Sequence, residues 1–167
     1  GSLETVLGQS DLKLQTTYIK KASEGDADAK AKIALPVYIF NIDGQDVPVV
    51  PCYGAGLWGP IWGYLAFEGD MNTIEGAVFD HKGETPGLGA EIATNWFRNN
   101  FTGKKIYNAE GEFTSVKVVK GGAAEDDING VDAISGGTIT SQALEKAIKS
   151  WLEAYVPYFE TLKAVEE

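Results

Sequence analysis

Cysteine and histidine are nearly absent from the chain, with one of each, Cys52 and His81. A lone cysteine cannot close an intrachain disulfide, and no Cys/His cluster exists to hold zinc. The same scarcity leaves little material for a triad built on a histidine base. Long apolar runs are missing as well: no stretch approaches the roughly 18 consecutive apolar residues of a membrane span, and no signal-peptide pattern is present. Gly1-Ser2 reads as a cloning remnant, so a natural N-terminal signal or anchor is expected to have been removed. Positive charge is scarce, with 14 Lys and Arg against 24 Asp and Glu and a net charge of −10. A surface so acidic repels phosphate backbones and disfavours nucleic acid as a partner.

What is present suits a single folded domain. The chain has 167 residues, 44% of them hydrophobic and 23% charged, which excludes disorder over most of its length. Its 20 glycines point to backbone-lined turns and ligand loops rather than a plain helical bundle. No internal repeat or low-complexity tract occurs.

Hydrophobic patterning yields an α+β reading: a twisted, largely antiparallel sheet with packed helices. Residues 3–32 are mostly polar, with Leu12, Leu14, Tyr18 and Ile19 as a helix or short strand and residues 22–28 as a loop or helix start. Val37–Phe40 and Val47–Val50 flank the turn signal Asp43-Gly44 and predict a hairpin, with Pro48 placing the second run at an edge or strand start. Trp62, Tyr64, Leu65 and Phe67 predict a strand whose partner is Ile74–Asp80, across a turn at Glu68–Asn72. Residues 81–89 form a Gly/Pro loop, and residues 90–101 read as one helix with Ile92, Trp96, Phe97 and Phe101 at helical spacing. Ile106–Tyr107 and Phe113–Val119 read as strands, and residues 120–137 as loop. A long amphipathic helix is expected from about Thr140 to Lys163, kinked or split at Pro157. Its aromatics, Trp151, Tyr155, Tyr158 and Phe159, are expected mostly to pack on the sheet, with a docking surface as the alternative.

The most informative stretch is Asp132-Ala133-Ile134-Ser135-Gly136-Gly137-Thr138-Ile139-Thr140-Ser141, which leads into that helix. Glycines let a backbone approach a ligand, and the free N–H groups of a helix start favour an anion such as phosphate. The plainer reading is a loop closed by an N-cap Thr or Ser. It is neither a P-loop nor a dinucleotide fingerprint, lacking the Lys of the first and the Gly spacing of the second.

Asp132–Thr138 resembles the flavinylation motif of the FMN-binding domain family, Asp-Gly-x-Ser/Thr-Gly/Ser-Ala-Thr, with Ala133 in place of the usual Gly and Gly137 in place of the usual Ala. Glu84-Thr85-Pro86-Gly87-Leu88-Gly89 matches the family's second signature. Gly56-Leu57-Trp58-Gly59-Pro60 and Val118-Val119-Lys120-Gly121-Gly122-Ala123 are similar to the C-subunit branch of Na+-translocating NADH:quinone reductases; the related G component of Rnf electron-transport complexes usually lacks the Leu-Trp pair. The matches run in order from roughly residue 35 to the C-terminus.

The resemblance implies an FMN-binding domain over residues 35–167, preceded by an N-terminal extension over residues 1–34. It implies FMN bound through a phosphoester to Thr138, installed by a separate flavin transferase. Ser135, Gly136, Gly137, Ile139 and Thr140 would surround the tether. A flat, largely apolar ring wants aliphatic or aromatic walls, which Leu57, Trp58 and Leu88 can supply, beside Gly59; each is as readily a core residue. Thr85 and the amides of Gly87 to Gly89 can reach the ring edge or ribityl chain. Glu84 can accept from the ring or ribityl chain, or merely cap the next turn. Lys120, beside Gly121, can offset phosphate charge or stand as an exposed strand-end lysine, and His81 can tune a nearby proton or lie at the surface. The function implied is a covalent-FMN electron carrier relaying electrons among the subunits of a membrane complex that moves Na+, without itself binding NADH or quinone. The location implied is the bacterial inner membrane, by one upstream helix, with the flavin domain on the extracytoplasmic (periplasmic) side. The G component of an Rnf complex or another covalent-FMN carrier is the nearest alternative, and a non-flavinylated binding or assembly module is the alternative of another class. One histidine and no nucleophile elbow argue against a hydrolase.

Overall fold

The computed structural model describes residues 11–163, so Gly1-Ser2 and the first part of the polar N-terminal segment lie outside the described residues. Asp11 caps helix α1 (Leu12–Ser23) by accepting the Leu14 N–H at 3.0 Å, and Asp26 caps α2 (Ala27–Ala31) by accepting the Ala29 N–H at 2.9 Å. Strands β1 (Tyr38–Ile42) and β2 (Gln45–Ala55) then form the expected hairpin. Asp43 and Gly44 both have positive φ, 52° and 84°, as a tight two-residue turn between right-twisted strands requires.

β3 (Pro60–Phe67) and β4 (Ile74–His81) extend an antiparallel meander in the order β1-β2-β3-β4. Between them Asp70 pins the turn, accepting N–H groups of Asn72 and Thr73 and the Thr73 hydroxyl at 2.6 Å. Burial pushes the Asp70 carboxyl up, but these hydrogen bonds outweigh it and hold the group below its usual range. The expected edge position of Pro48 is corrected: β2 runs on both sides of it and lies between β1 and β3. The proline is tolerated because its ring nitrogen faces the β3 side, where pairing starts only at Val49.

The helix expected over 90–101 is two short pieces, a 3-10 turn at Gly89–Ala93 and α3 (Asn95–Asn99), broken at Thr94. Thr94 is extended and its hydroxyl caps Phe97 N–H at 3.3 Å, so local capping overrides the apolar spacing. Ile106–Tyr107 and most of Phe113–Val119 are irregular, joined by the single bridge Tyr107–Phe113; only Lys117–Val119 is a strand, β5. The segment 120–137 is not all loop, because Gly130–Asp132 forms β6, parallel to β5.

Helix α4 (Thr138–Lys163) starts two residues earlier than expected and is one helix through Pro157. Pro157 faces solvent, while Leu144, Ile148, Trp151, Leu152, Tyr155 and Phe159 are buried at helical spacing against the inner sheet face of Val50, Cys52, Ile61, Leu65 and Phe67. Each such side chain contributes about 1.5–3 kcal/mol by leaving water, enough together to absorb one missing helix hydrogen bond. Trp151 Nε1 donates to the Tyr53 carbonyl at 3.0 Å and to Thr16 Oγ1 at 3.1 Å, joining α4, β2 and α1. Tyr155 donates to the Pro36 carbonyl at 2.5 Å.

Candidate functional site

Three loops converge beside the start of α4. The first links β2 to β3, closed by Gly56 N–H donating to the Gly59 carbonyl at 2.8 Å, with Gly59 at φ 148°. It lifts Leu57 and Trp58 away from the core, so that Trp58 is 66% exposed. The second follows β4. Its turn at Thr85–Leu88 is closed by Leu88 and Ala90 N–H groups donating to the Thr85 carbonyl, both at 3.1 Å, and Gly87 supplies the left-handed residue at φ 74°. The third is Ala133–Gly137. There the Gly137 N–H donates to the Ile134 carbonyl, Ser141 Oγ donates to the Gly137 carbonyl at 2.8 Å, and Ile134 N–H donates to Ser141 Oγ at 3.2 Å. A Cβ on Gly136 would stand 2.7 Å from Leu88 Cδ2, so glycine there lets the second and third loops meet.

A cleft of about 510 Å³ opens between them, lined by Leu57, Trp58, Glu84, Thr85, Leu88, Gly89, Gly136, Gly137, Thr138, Ile139 and Thr140. A second hollow of about 470 Å³ adjoins it, lined by Trp96, Lys120, Gly121, Gly122, Asp132, Ala133, Ile134, Ser135, Gly136 and Thr138. Gly136 and Thr138 belong to both, so Thr138 stands where the two hollows meet.

Most of the residues singled out in the sequence therefore come together, in two groups. Lys120, Gly121 and Ser135 lie in the second hollow rather than the first; Gly59 and Gly87 line neither and serve the backbone of their loops. Leu57, Trp58, Leu88 and Ile139 form an exposed apolar rim. Thr140 is buried and its hydroxyl donates to Glu84 Oε2 at 2.5 Å, while Trp58 N–H donates to Glu84 Oε1 at 2.8 Å. Both Glu84 oxygens thus hold protein groups. His81 Nδ1 accepts the Glu84 N–H at 3.1 Å and so shapes the second loop. Trp96 is a lining residue that sequence reading missed: helical spacing suggested an apolar face, whereas the break at Thr94 turns it outward. Trp151, Tyr155 and Phe159 are buried and Tyr158 is exposed, so most of the α4 aromatics pack on the sheet as expected, and the three buried rings cannot build a docking surface.

The cleft suits a planar, mostly apolar ligand ending in an anion. Its size lies within the roughly 300–1,000 Å³ of small-molecule sites. Its rim is aliphatic and aromatic, and α4 begins at Thr138 behind Gly137, which has no side chain to cap the first N–H groups. The model of a protein family, the FMN-binding domain, matches residues 56–153. The chain belongs to the FMN-binding domain family. Within this family it is 36% identical over 127 residues to the C subunit of the Na(+)-translocating NADH-quinone reductase of Vibrio alginolyticus, a match covering 76% of this chain and 49% of that protein. It is 38% identical over 138 residues to the C subunit of the same reductase in Haemophilus ducreyi, covering 81% and 53%. Among solved structures, the corresponding C subunit of Parabacteroides distasonis superposes with a TM-score of 0.73 at 48% identity, covering 79% of this chain and 66% of that one. NqrC of Shewanella oneidensis gives 0.68 at 41% identity, covering 75% and 58%. This FMN-binding domain chain thus spans about half the length of the curated relatives it matches.

Proposed function

We propose that this chain is the FMN-carrying electron-transfer domain of the C subunit of a Na+-translocating NADH:quinone reductase, with FMN held by a phosphoester to Thr138. The observation that carries the reading is the position of Thr138: partly exposed, first in α4, at the junction of the two hollows. A phosphate joined there would meet the N–H groups of the first turn of α4, and Lys120, which lines the same hollow as Thr138, would supply positive charge. Leu57, Trp58 and Leu88 would give the ring an apolar seat, and Thr85 adds a hydroxyl-bearing side chain to the same lining. FMN supplies reversible one- and two-electron chemistry when bound, and the chain's part is to seat it and set its surroundings.

No basic side chain among the described residues is hydrogen-bonded to the Thr138 hydroxyl, which suits a residue modified by another enzyme better than a catalytic nucleophile. A flavin transferase is the proposed maturation partner. Leu57, Trp58, Leu88 and Ile139 leave an apolar rim open beside the cleft, which supports electron exchange with other subunits docking there. By the same reading the domain stands on the extracytoplasmic side of a bacterial inner membrane, anchored through an upstream helix; no helix among the described residues is long and apolar enough to cross a membrane.

Co-expression with a flavin transferase tests the assignment. The wild-type chain should run as a fluorescent band in denaturing gels and gain one flavin phosphate in intact mass, and Thr138→Ala should lose both. Fluorescence that survives in Thr138→Ala overturns the site. Protein made without the transferase should remain unmodified.

A further inference from the structure

Glu84 lies under the cleft as a buried acidic side chain, 4% exposed, whose hydrogen-bond partners are both neutral. Oε1 accepts the Trp58 N–H and Oε2 accepts the Thr140 hydroxyl, so a single carboxylate joins the β2–β3 loop to the first turn of α4, across 26 residues in one direction and 56 in the other. Accepting on both oxygens is the behaviour of the ionised form. The surroundings are cut to fit it: a Cβ at Gly56 would stand 2.5 Å from Oε1, and one at Gly89 would overlap Oε2 and the Thr140 hydroxyl. Glu84 also lines the cleft itself. Its charge therefore acts on whatever the cleft holds through a poorly screening medium.

We propose that Glu84 is a positioning residue that also sets the potential of the site: its carboxylate fixes the Trp58 wall against the start of α4, and its fixed negative charge lowers the reduction potential of the flavin. This rests on the flavin reading above. The reaction affected is the two-electron, one-proton reduction of FMN to its anionic reduced form, with a partner redox centre supplying the electrons and solvent the proton. Product and reactant differ by one negative charge, so an anion beside the cleft disfavours the product.

The test compares the flavinylated wild type with Glu84→Gln, Glu84→Asp and Thr140→Val by reductive titration against dyes of known potential. Glutamine keeps the shape, with its oxygen accepting the Trp58 N–H and its amide directed at Thr140, but removes the charge. The expected result is a positive shift equivalent to about tenfold in the reduced-to-oxidised ratio, about 30 mV for a two-electron couple. Aspartate should stay near wild type. Thr140→Val breaks the hydrogen bond but keeps the charge, and should give no positive shift while lowering the anisotropy of the flavin emission. A fluorescent wild type whose potential is unchanged by Glu84→Gln overturns the inference alone. Equal shifts in Glu84→Gln and Thr140→Val overturn it too, because geometry then explains both. A wild type that acquires no flavin from the transferase overturns the flavin reading and this inference with it. Melting of the flavin-free variants separates a folding failure from a charge effect: Glu84→Asp that folds and rises in potential with Glu84→Gln also overturns it.

Discussion

The bond between Thr140 and Glu84 allows a stability prediction that needs no cofactor. Thr140 is 1% exposed, and its hydroxyl is the donor that Glu84 Oε2 accepts, at 2.5 Å. Valine fills the same volume, so Thr140→Val leaves the buried carboxylate oxygen without this donor. A hydrogen bond to a charged group contributes about 1.5–3 kcal/mol, against about 0.5–1.5 for a neutral pair. Thr140→Val should therefore cost about 2 kcal/mol in the wild-type background. In a Glu84→Gln background the partner is neutral, and the same substitution should cost about 1 kcal/mol. The difference, about 1 kcal/mol, is the coupling that a double-mutant cycle reads.

For a chain of 167 residues the unfolding entropy near the midpoint is about 0.35 kcal/mol/K, so each kcal/mol moves Tm by about 3 °C. Thr140→Val alone should lower Tm by about 6 °C, well outside the error of calorimetry or circular dichroism. Urea titration of the four proteins gives the same cycle at 25 °C, with equal m-values as the check that only the folded state has changed. Strict additivity, or a Thr140→Val cost below about 0.5 kcal/mol, refutes the claim that Glu84 is held as a buried anion by this hydroxyl.

Gly89→Ala places a methyl group against Glu84 Oε2 and Thr140 Oγ1, so overpacking should cost about 1–3 kcal/mol, and an unchanged melting curve refutes that contact. Trp58→Ala should leave flavin-free stability within about 0.5 kcal/mol, because the ring is 66% exposed, yet should lower the emission anisotropy of the flavinylated form; a large loss of stability contradicts its place on the rim. Burial pushes the Cys52 thiol up to about 12, outweighing its hydrogen bond to the Gly63 backbone, so the thiol is protonated around neutral pH. Iodoacetamide at pH 8 should label it only as the protein unfolds, and labelling at the rate of a free thiol in native buffer refutes its burial.

Patterns that repeat at short range were readable in the chain. Asp43-Gly44 between two β-rich runs marked the hairpin, the cluster Trp62, Tyr64, Leu65 and Phe67 marked β3, and the amphipathic spacing from Leu144 to Tyr155 marked the buried stripe of α4. Local competition explains where the pattern misled. The Thr94 hydroxyl offers the backbone a cap just where apolar spacing asks for helix, and Trp96 goes outward as a result. Pro48 and Pro157 break local rules because each sits where the lost donor has little to lose: one beyond the end of a ladder, the other on the wet face of a strongly packed helix. β6 is three residues long and exists through its pairing with β5, which no window of sequence reports. The candidate site was legible as motifs, but the role of Glu84 was not, since its two partners are remote in sequence.

That arrangement also resolves how one short segment can be open and rigid together. A tethering residue must face solvent for another enzyme to modify it, yet a carrier needs the tether fixed once it is loaded. Under the function proposed above, three successive residues at the start of α4 would share these duties. Thr138 is partly exposed at the junction of the hollows, Ile139 is 60% exposed on the rim, and Thr140 is buried and bound to Glu84. Helical geometry turns successive side chains by about 100°, so residues two apart point to nearly opposite sides. The hydroxyl at 140 therefore anchors the turn from beneath while the one at 138 stays accessible above it. Exchanging the two roles, with a threonine kept only at 140, places the nucleophile out of reach, and on this geometry Thr138→Ala cannot be rescued by its neighbour.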